Sequence, residues 1–197
     1  MKIIDHIGIF EKELPLNVCE AVIQSFNLWE GQREFIAEAF KDGENQFKDG
    51  NFSRSDTQLC LEVVDLDLYQ TLNGFVKKAF EQYTSVYSGI LQNNDPVSTW
   101  TTKVQKTKAG GGYHQWHCEN GQFLYRDRVL AWMVYLNTVP SQSGGGTDFL
   151  HQKLTLQPEA GTIVLWPASY THVHRGGFLT GNVDKYIATG WFIREPT

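Results

Sequence analysis

The spacing of apolar positions changes near residue 96. Before it, Leu16, Cys19, Val22, Ile23 and Phe26 recur at i, i+3 and i+4 intervals, and Pro15 suits a first helical turn, so a helix is predicted there. Leu68, Leu72, Phe75, Val76, Ala79, Phe80, Tyr83 and Tyr87 predict a second helix from Asp67 to about Leu91, with Asp65 or Asp67 as its cap. The polar stretch from Gly43 to Ser55 reads as a loop between them. After Pro96 come short β-rich runs at Thr99–Lys106, Val129–Asn137, Lys153–Gln157, Gly161–Trp166, His172–Arg175 and Tyr186–Ile193. Turn-forming clusters separate them: Ala109–Gly112, Pro140–Gly146, Pro158–Gly161, Pro167–Ser169 and Gly176–Asp184. Many short strands at this spacing imply a mainly β sandwich or jelly roll rather than βαβ units, with the N-terminal helices packed on one sheet.

A chain of 197 residues suits one domain. Residues 1–95 would form a helical N-terminal support region, and 96–197 the β core with the functional mouth. Aromatic residues make up 13% of the chain, so large rings should build much of the core. The net charge of −5 argues against a nucleic-acid surface, although the substrate-facing surface could still be locally basic. Cys19, Cys60 and Cys118 form no CxxC and no even framework, which fits a reducing compartment. MKIIDHIGIFEKEL carries Asp5, Glu11 and Glu13 and has no signal-peptide apolar run, and no stretch approaches the roughly 20 apolar residues of a membrane span. A cytoplasmic, membrane-free protein is expected; its oligomeric state is left open.

The sharpest chemistry lies in His117-Cys118-Glu119. Residues i and i+2 of a strand project to one side, so His117 and Glu119 can grip one ion with Cys118 turned away. Gly110, Gly111 and Gly112 allow close backbone approach just before them, and Tyr113, His114 and Trp116 can wall a pocket. A second His from a distant strand would complete a facial set of two His and one carboxylate, the pattern of non-haem Fe(II) oxygenases. Trp166 to Gly176 offers two, His172 and His174, alternating on one strand face. The residues alone leave both open. His114 and His151 read as packing and rim residues, and His6 carries no signal.

In matching order, the segment from about residue 99 to 193 resembles the 2-oxoglutarate- and Fe(II)-dependent dioxygenases, in particular their prolyl 4-hydroxylase-like branch. The resemblance rests on Val104-Gln105-Lys106, Gly112 to Glu119, Ala131 to Asn137, Gly144-Gly145-Gly146-Thr147-Asp148-Phe149 and Pro158 to Pro167. It implies a double-stranded β-helix, the cupin-like jelly roll. It also implies iron held by His117, Glu119 and His174, since relatives read His-Arg-Gly where His174-Arg175-Gly176 stands; His172 remains the alternate ligand. Lys185, eleven residues after His174, takes the place of the basic residue that pairs with the far carboxylate of 2-oxoglutarate. Lys185, Ile187, Thr189 and Trp191 alternate onto one face. Thr107, Tyr113 and Tyr135 are the candidate hydroxyl partners of the co-substrate. Trp116, Trp132 and Trp191 are candidates for the pocket lining, and Arg175 reads as structural or substrate-facing. The family's usual acid is Asp; Glu119 reaches one methylene further.

The implied activity is hydroxylation of an unactivated C–H bond, with Fe(II), 2-oxoglutarate and O2, and with ascorbate in support. The substrate would be a peptide or protein proline, in a groove bordered by Gly43–Ser55 and Gly121–Arg128, or a small molecule. Two other readings compete. A cupin-type metalloenzyme, an isomerase or a dioxygenase that does not use 2-oxoglutarate, would use more His and an additional Glu. A non-catalytic jelly-roll binding module would need no metal.

Overall fold

A computed structural model describes residues 1–46, 52–92 and 96–195. The chain opens with β1 (Lys2–Ile4), β2 (Ile7–Phe10), α1 (Leu16–Glu30), β3 (Phe40–Gln46), β4 (Phe52–Cys60), α2 (Leu61–Val64) and α3 (Leu66–Val86). It continues through β5 (Val97–Thr107), β6 (Gly112–Tyr113), β7 (Arg128–Tyr135), β8 (Thr147–Phe149), β9 (Leu154–Leu156), β10 (Ile163–Pro167), β11 (His174–Gly176) and β12 (Lys185–Arg194). The large sheet runs β1-β2-β10-β7-β12-β5-β4-β3, with β6 paired to β4, and the small one runs β11-β8-β9. All pairings are antiparallel. The two sheets make the double-stranded β-helix that the strand spacing and the resemblance imply.

Alternation sorts the strand residues between two cores. Leu130, Trp132 and Val134 of β7, Ile163 and Leu165 of β10 and Tyr186, Ala188 and Phe192 of β12 point outward onto the helices. They meet Cys19, Val22 and Phe26 of α1 and Leu72, Val76, Ala79, Phe80 and Tyr83 of α3, the helical faces expected from their spacing. Asp65 caps α3 by accepting the Leu68 N–H (3.1 Å). On the other face Ala131, Met133, Tyr135, Val164, Trp166 and Trp191 pack toward Phe149 of the small sheet. Phe26, fully buried, meets Phe40 and Tyr186 edge-on at 5.9 and 5.8 Å. Phe26→Ala should cost about 3–5 kcal/mol in urea unfolding while leaving metal affinity unchanged, because the cavity opens on the helix side of the sheet.

The N-terminal region differs from a purely helical support. Four of its strands join the large sheet, and residues 40–46 and 52–55 are strand, not loop; residues 47–51 of that stretch lie outside the described residues. Strand β4 carries Arg54, Asp56 and Gln58 on its inner face, and these line a cavity rather than an apolar core. Hydrophobic alternation, the usual strand signal, is therefore missing there. The β1–β2 hairpin was hidden for another reason. Its turn residues Asp5 and His6 take φ of 44° and 65° without the Gly or Asn that such turns favour.

Candidate metal centre

His117 and His174 are neighbours because their backbones pair. The His117 N–H donates to the His174 carbonyl (3.0 Å), and the His174 N–H donates to the His117 carbonyl (2.9 Å). The two rings come to 4.4 Å between centroids. Each Nδ1 lies against a carbonyl, Gln115 O for His117 (2.8 Å) and His172 O for His174 (3.0 Å). This places the proton on Nδ1 and leaves both Nε2 lone pairs free to face the same point.

Glu119 is fixed from its backbone outward. Its N–H and that of Asn120 both donate to the Ala168 carbonyl (2.9 and 3.2 Å). Its Oε1 faces the Nε2 of His117 (3.5 Å) and of His174 (3.3 Å). Its Oε2 accepts the Trp191 indole N–H (2.7 Å) and lies 3.3 Å from Arg128 Nη1, which also donates to the Glu119 carbonyl. Burial acts to raise the Glu119 pKa, but the His117 and His174 rings that face its Oε1 hold it well below the usual carboxylate range. The carboxylate is thus an anion with one oxygen anchored and the other presented. Ligand atoms of all three residues lie within 4.8 Å of one another. Two neutral imidazoles and a carboxylate, converging from one side, fit a first-row divalent metal with positions left open.

His172 is placed elsewhere. Residues 170–172 form a 3-10 turn rather than strand, so the expected alternation with His174 is broken. Its Nδ1 meets Thr171 Oγ1 (2.9 Å) and its Nε2 the Asp5 carbonyl (2.8 Å), which leaves no nitrogen for a metal. Among the described residues no further His, Cys or acid joins the triad, so the richer cupin cluster is not assembled.

The triad sits in a cavity of about 450 Å³. Lys185 reaches it from the start of β12 with Ile187, Thr189 and Trp191, the face expected from alternation. Its ammonium donates to the Gly145 carbonyl (2.8 Å), and burial pushes its pKa down to about 8. Gly145 adopts φ 69°, and a Cβ there would meet Leu179 at 2.8 Å, so glycine is what brings that carbonyl to Lys185. Thr107 stands opposite Lys185 in register and lines the same cavity. Tyr113 stacks on His117 (4.1 Å).

Tyr135, Trp132 and Trp116 fall outside the lining. Tyr135 is fully buried; its hydroxyl donates to Thr147 Oγ1 (2.8 Å), with the Leu156 carbonyl at 3.2 Å, so it reaches the cavity only through Thr147. Trp132 faces the helices because its strand neighbours Ala131 and Met133 take the inner face. Trp116 is turned outward under the Arg175 guanidinium (4.4 Å), and Arg175 itself pairs with Asp148 (3.2 Å) at the rim.

Sequence reasoning missed Arg128, and it missed the polar wall made by Lys41, Arg54, Asp56, Gln58, Lys103 and Gln105. Arg54-Ser55-Asp56-Thr57-Gln58 is polar at every position, and in Lys103-Val104-Gln105-Lys106-Thr107 only Val104 is apolar, so neither run shows the alternation that marks a strand.

The chain was compared with known proteins. No curated protein sequence matches it. Among solved structures, the viral collagen prolyl hydroxylase vCPH of Paramecium Bursaria Chlorella virus-1, in its 2OG complex, is 17% identical over 97% of each chain, with a TM-score of 0.69. A Pseudomonas putida prolyl-4-hydroxylase is 15% identical over 97% of this chain and 94% of its own, at 0.71. A Trichoplax adhaerens prolyl hydroxylase, in complex with a hypoxia inducible factor peptide fragment, is 19% identical over 96% and 84%, at 0.70. These are likenesses of fold. The sequence profile of the 2OG-Fe(II) oxygenase superfamily matches residues 102–193, which hold the triad, Lys185 and the strands that carry them. On that match residues 102–193 are similar to the 2OG-Fe(II) oxygenase superfamily.

Proposed function

We propose that this chain is an Fe(II)- and 2-oxoglutarate-dependent dioxygenase that hydroxylates an unactivated C–H bond, with a prolyl residue of a peptide or protein as its substrate. The observation that carries the reading is one cavity holding both a convergent His117–Glu119–His174 set and the buried cation of Lys185. His117, Glu119 and His174 would hold the iron, and Lys185, with Thr107 beside it, the far carboxylate of 2-oxoglutarate. Bound iron and co-substrate supply the oxidising power, 2-oxoglutarate leaving as succinate and carbon dioxide. The chain's own residues do the rest. Trp191 and Arg128 hold Glu119 in one orientation, the Gln115 and His172 carbonyls fix the imidazole tautomers, and Met133, Ile187 and Trp166 keep water from the reacting centre. The prolyl assignment is supported by the three similar structures, each a prolyl hydroxylase by its description.

A cytoplasmic location belongs to the same proposal. It is supported by the three unpaired cysteines, and no helix among the described residues is long and apolar enough to cross a membrane.

Anaerobic titration of the Fe(II)-loaded protein with 2-oxoglutarate tests the reading, followed by succinate release in air with ascorbate and a panel of prolyl peptides. Saturable 2-oxoglutarate binding and peptide-stimulated succinate are expected; no 2-oxoglutarate affinity would sink the proposal. Trp191→Phe keeps an aromatic ring, smaller than the indole, but removes the N–H that anchors Glu119. It should weaken metal affinity about 10–100-fold in Mn(II) titration, with unfolding little changed.

A further inference from the structure

Beyond the triad, the cavity continues between β4, β5 and β12, and its walls there are unusually cationic. Six lining residues are Lys or Arg against two carboxylates, Asp56 and Glu119. The whole chain has 17 Lys and Arg against 22 Asp and Glu, so the enrichment runs against composition. Most of these cations have partners. Arg128 meets Glu119, Arg175 meets Asp148, and Arg54 holds Asp56 through two contacts of 3.0 and 3.1 Å. Lys185 faces the co-substrate end, and Lys41 is exposed at the rim.

Lys103 has no such partner. It is half-buried on the inner face of β5, and among the described residues no carboxylate lies within 4.0 Å of its ammonium. The ammonium lies instead 4.8 Å from the centre of the Trp191 ring, the ring whose N–H anchors Glu119. Burial lowers its pKa, and the charges of Arg128 and Arg54 lower it further. A structural lysine would meet a carboxylate or extend its head into water. Lys103 meets no carboxylate, and its half-buried ammonium opens into the cavity one indole away from the metal carboxylate.

We propose that Lys103 is a substrate-binding residue, the anchor of a subsite for a single carboxylate, supplied by an acidic side chain of the peptide next to the residue that is hydroxylated. Gln58 and Gln105, paired in register across β4 and β5, would flank it with neutral hydrogen-bonding groups. One unpaired ammonium matches a monoanion. Asp56, close enough for Lys103 to act on its charge, disfavours a dianion such as a phosphate. The inference rests on the hydroxylase reading above, and the test separates the two.

Protein loaded with Mn(II) and 2-oxoglutarate, which binds without turnover, is titrated with blocked X-Pro-X peptides in which X is Glu, Gln, Lys or phosphoserine, and with N-acetylglutamate. The Glu peptide should bind about tenfold more tightly than the Gln peptide. Lys103→Gln should bring the two within about twofold, and Lys103→Glu should turn the preference to the Lys peptide. Because a half-buried cation that no carboxylate balances is removed, Lys103→Met should raise the melting temperature of the ligand-free protein by about 2–4 °C. Equal binding of Glu and Gln peptides, an unchanged preference in Lys103→Gln, or a lower melting temperature in Lys103→Met overturns the proposal. A phosphoserine peptide that binds best overturns the monoanion assignment. Binding of N-acetylglutamate but of no peptide keeps the carboxylate subsite and transfers it to a small acid. If nothing binds, the subsite is overturned, while succinate release still reports on the hydroxylase reading.

Discussion

Replacing His174 by Ala should abolish metal binding and succinate formation, whereas replacing His172 by Ala should leave both in place. The two side chains are two residues apart, yet the 3-10 turn at 170–172 sends them to opposite surroundings. His174 pairs through its backbone with His117 and presents Nε2 to Glu119 at 3.3 Å. Losing it leaves two donors and an anionic Glu119 without the imidazole that faces it. Iron affinity should fall by more than the 10–100-fold typical for loss of a partner that only supports a ligand. His172 is equally buried, but both of its nitrogens are engaged by Thr171 and by the Asp5 carbonyl. His172→Ala orphans that carbonyl and should cost about 1–3 kcal/mol of stability through the β1–β2 hairpin, not through the site. Anaerobic Fe(II) titration and thermal melting of both variants check this. A folded His172→Ala protein that has lost its metal would reverse the assignment.

The difference between these two His shows what the sequence carried and what it did not. Most strands after Pro96, but not the short β6 and β8, were located by β-rich runs between turn clusters. Apolar periodicity identified both long helices, because they bury one face in a continuous core. His117 and Glu119 were legible for the same reason, since i and i+2 residues share a side. The distal His was not separable by alternation alone. The strand begins only at His174, after a 3-10 turn whose His172 ring meets the backbone carbonyl of Asp5, a contact with a distant segment that no local pattern reveals. Trp132 failed in the converse way. It was a candidate for the aromatic lining that the resemblance implies, but strand parity puts it on the helix face. The polar wall from β4 and β5 escaped because an inner face that binds ligand carries no apolar signal at all. Lys185 was singled out only through the resemblance, by its order and spacing relative to the other motifs, and the structure buries it in the cavity wall.

Lys185→Met should weaken 2-oxoglutarate binding by about 2–5 kcal/mol, the range for deleting one partner of a buried charge pair, while making the ligand-free protein more stable. The second half follows from linkage. Burial lowers the Lys185 pKa to about 8, from near 10.5 in an unfolded chain. Below about pH 8 the lysine is charged in both states, and the full cost of burying the ammonium, roughly 3 kcal/mol, weighs against folding. Between about 8 and 10.5 the unfolded chain binds the proton and the folded one does not, so the stability of the ligand-free protein rises with pH through this window. Lys185→Met should flatten that rise. A carboxylate placed against Lys185 favours the protonated form again, so binding takes up a proton wherever the free site is neutral. Affinity for 2-oxoglutarate should therefore be level below about pH 8 and fall by about tenfold per unit above it. Lys185→Arg, which stays charged, should bind less tightly at pH 7 because the longer fork does not fit the Gly145 carbonyl, but without the alkaline decline. Calorimetric titration in Mn(II) from pH 6.5 to 9.5, with urea unfolding in parallel, measures both slopes. A binding curve flat across that range would mean that Lys185 is not the cation that meets the co-substrate.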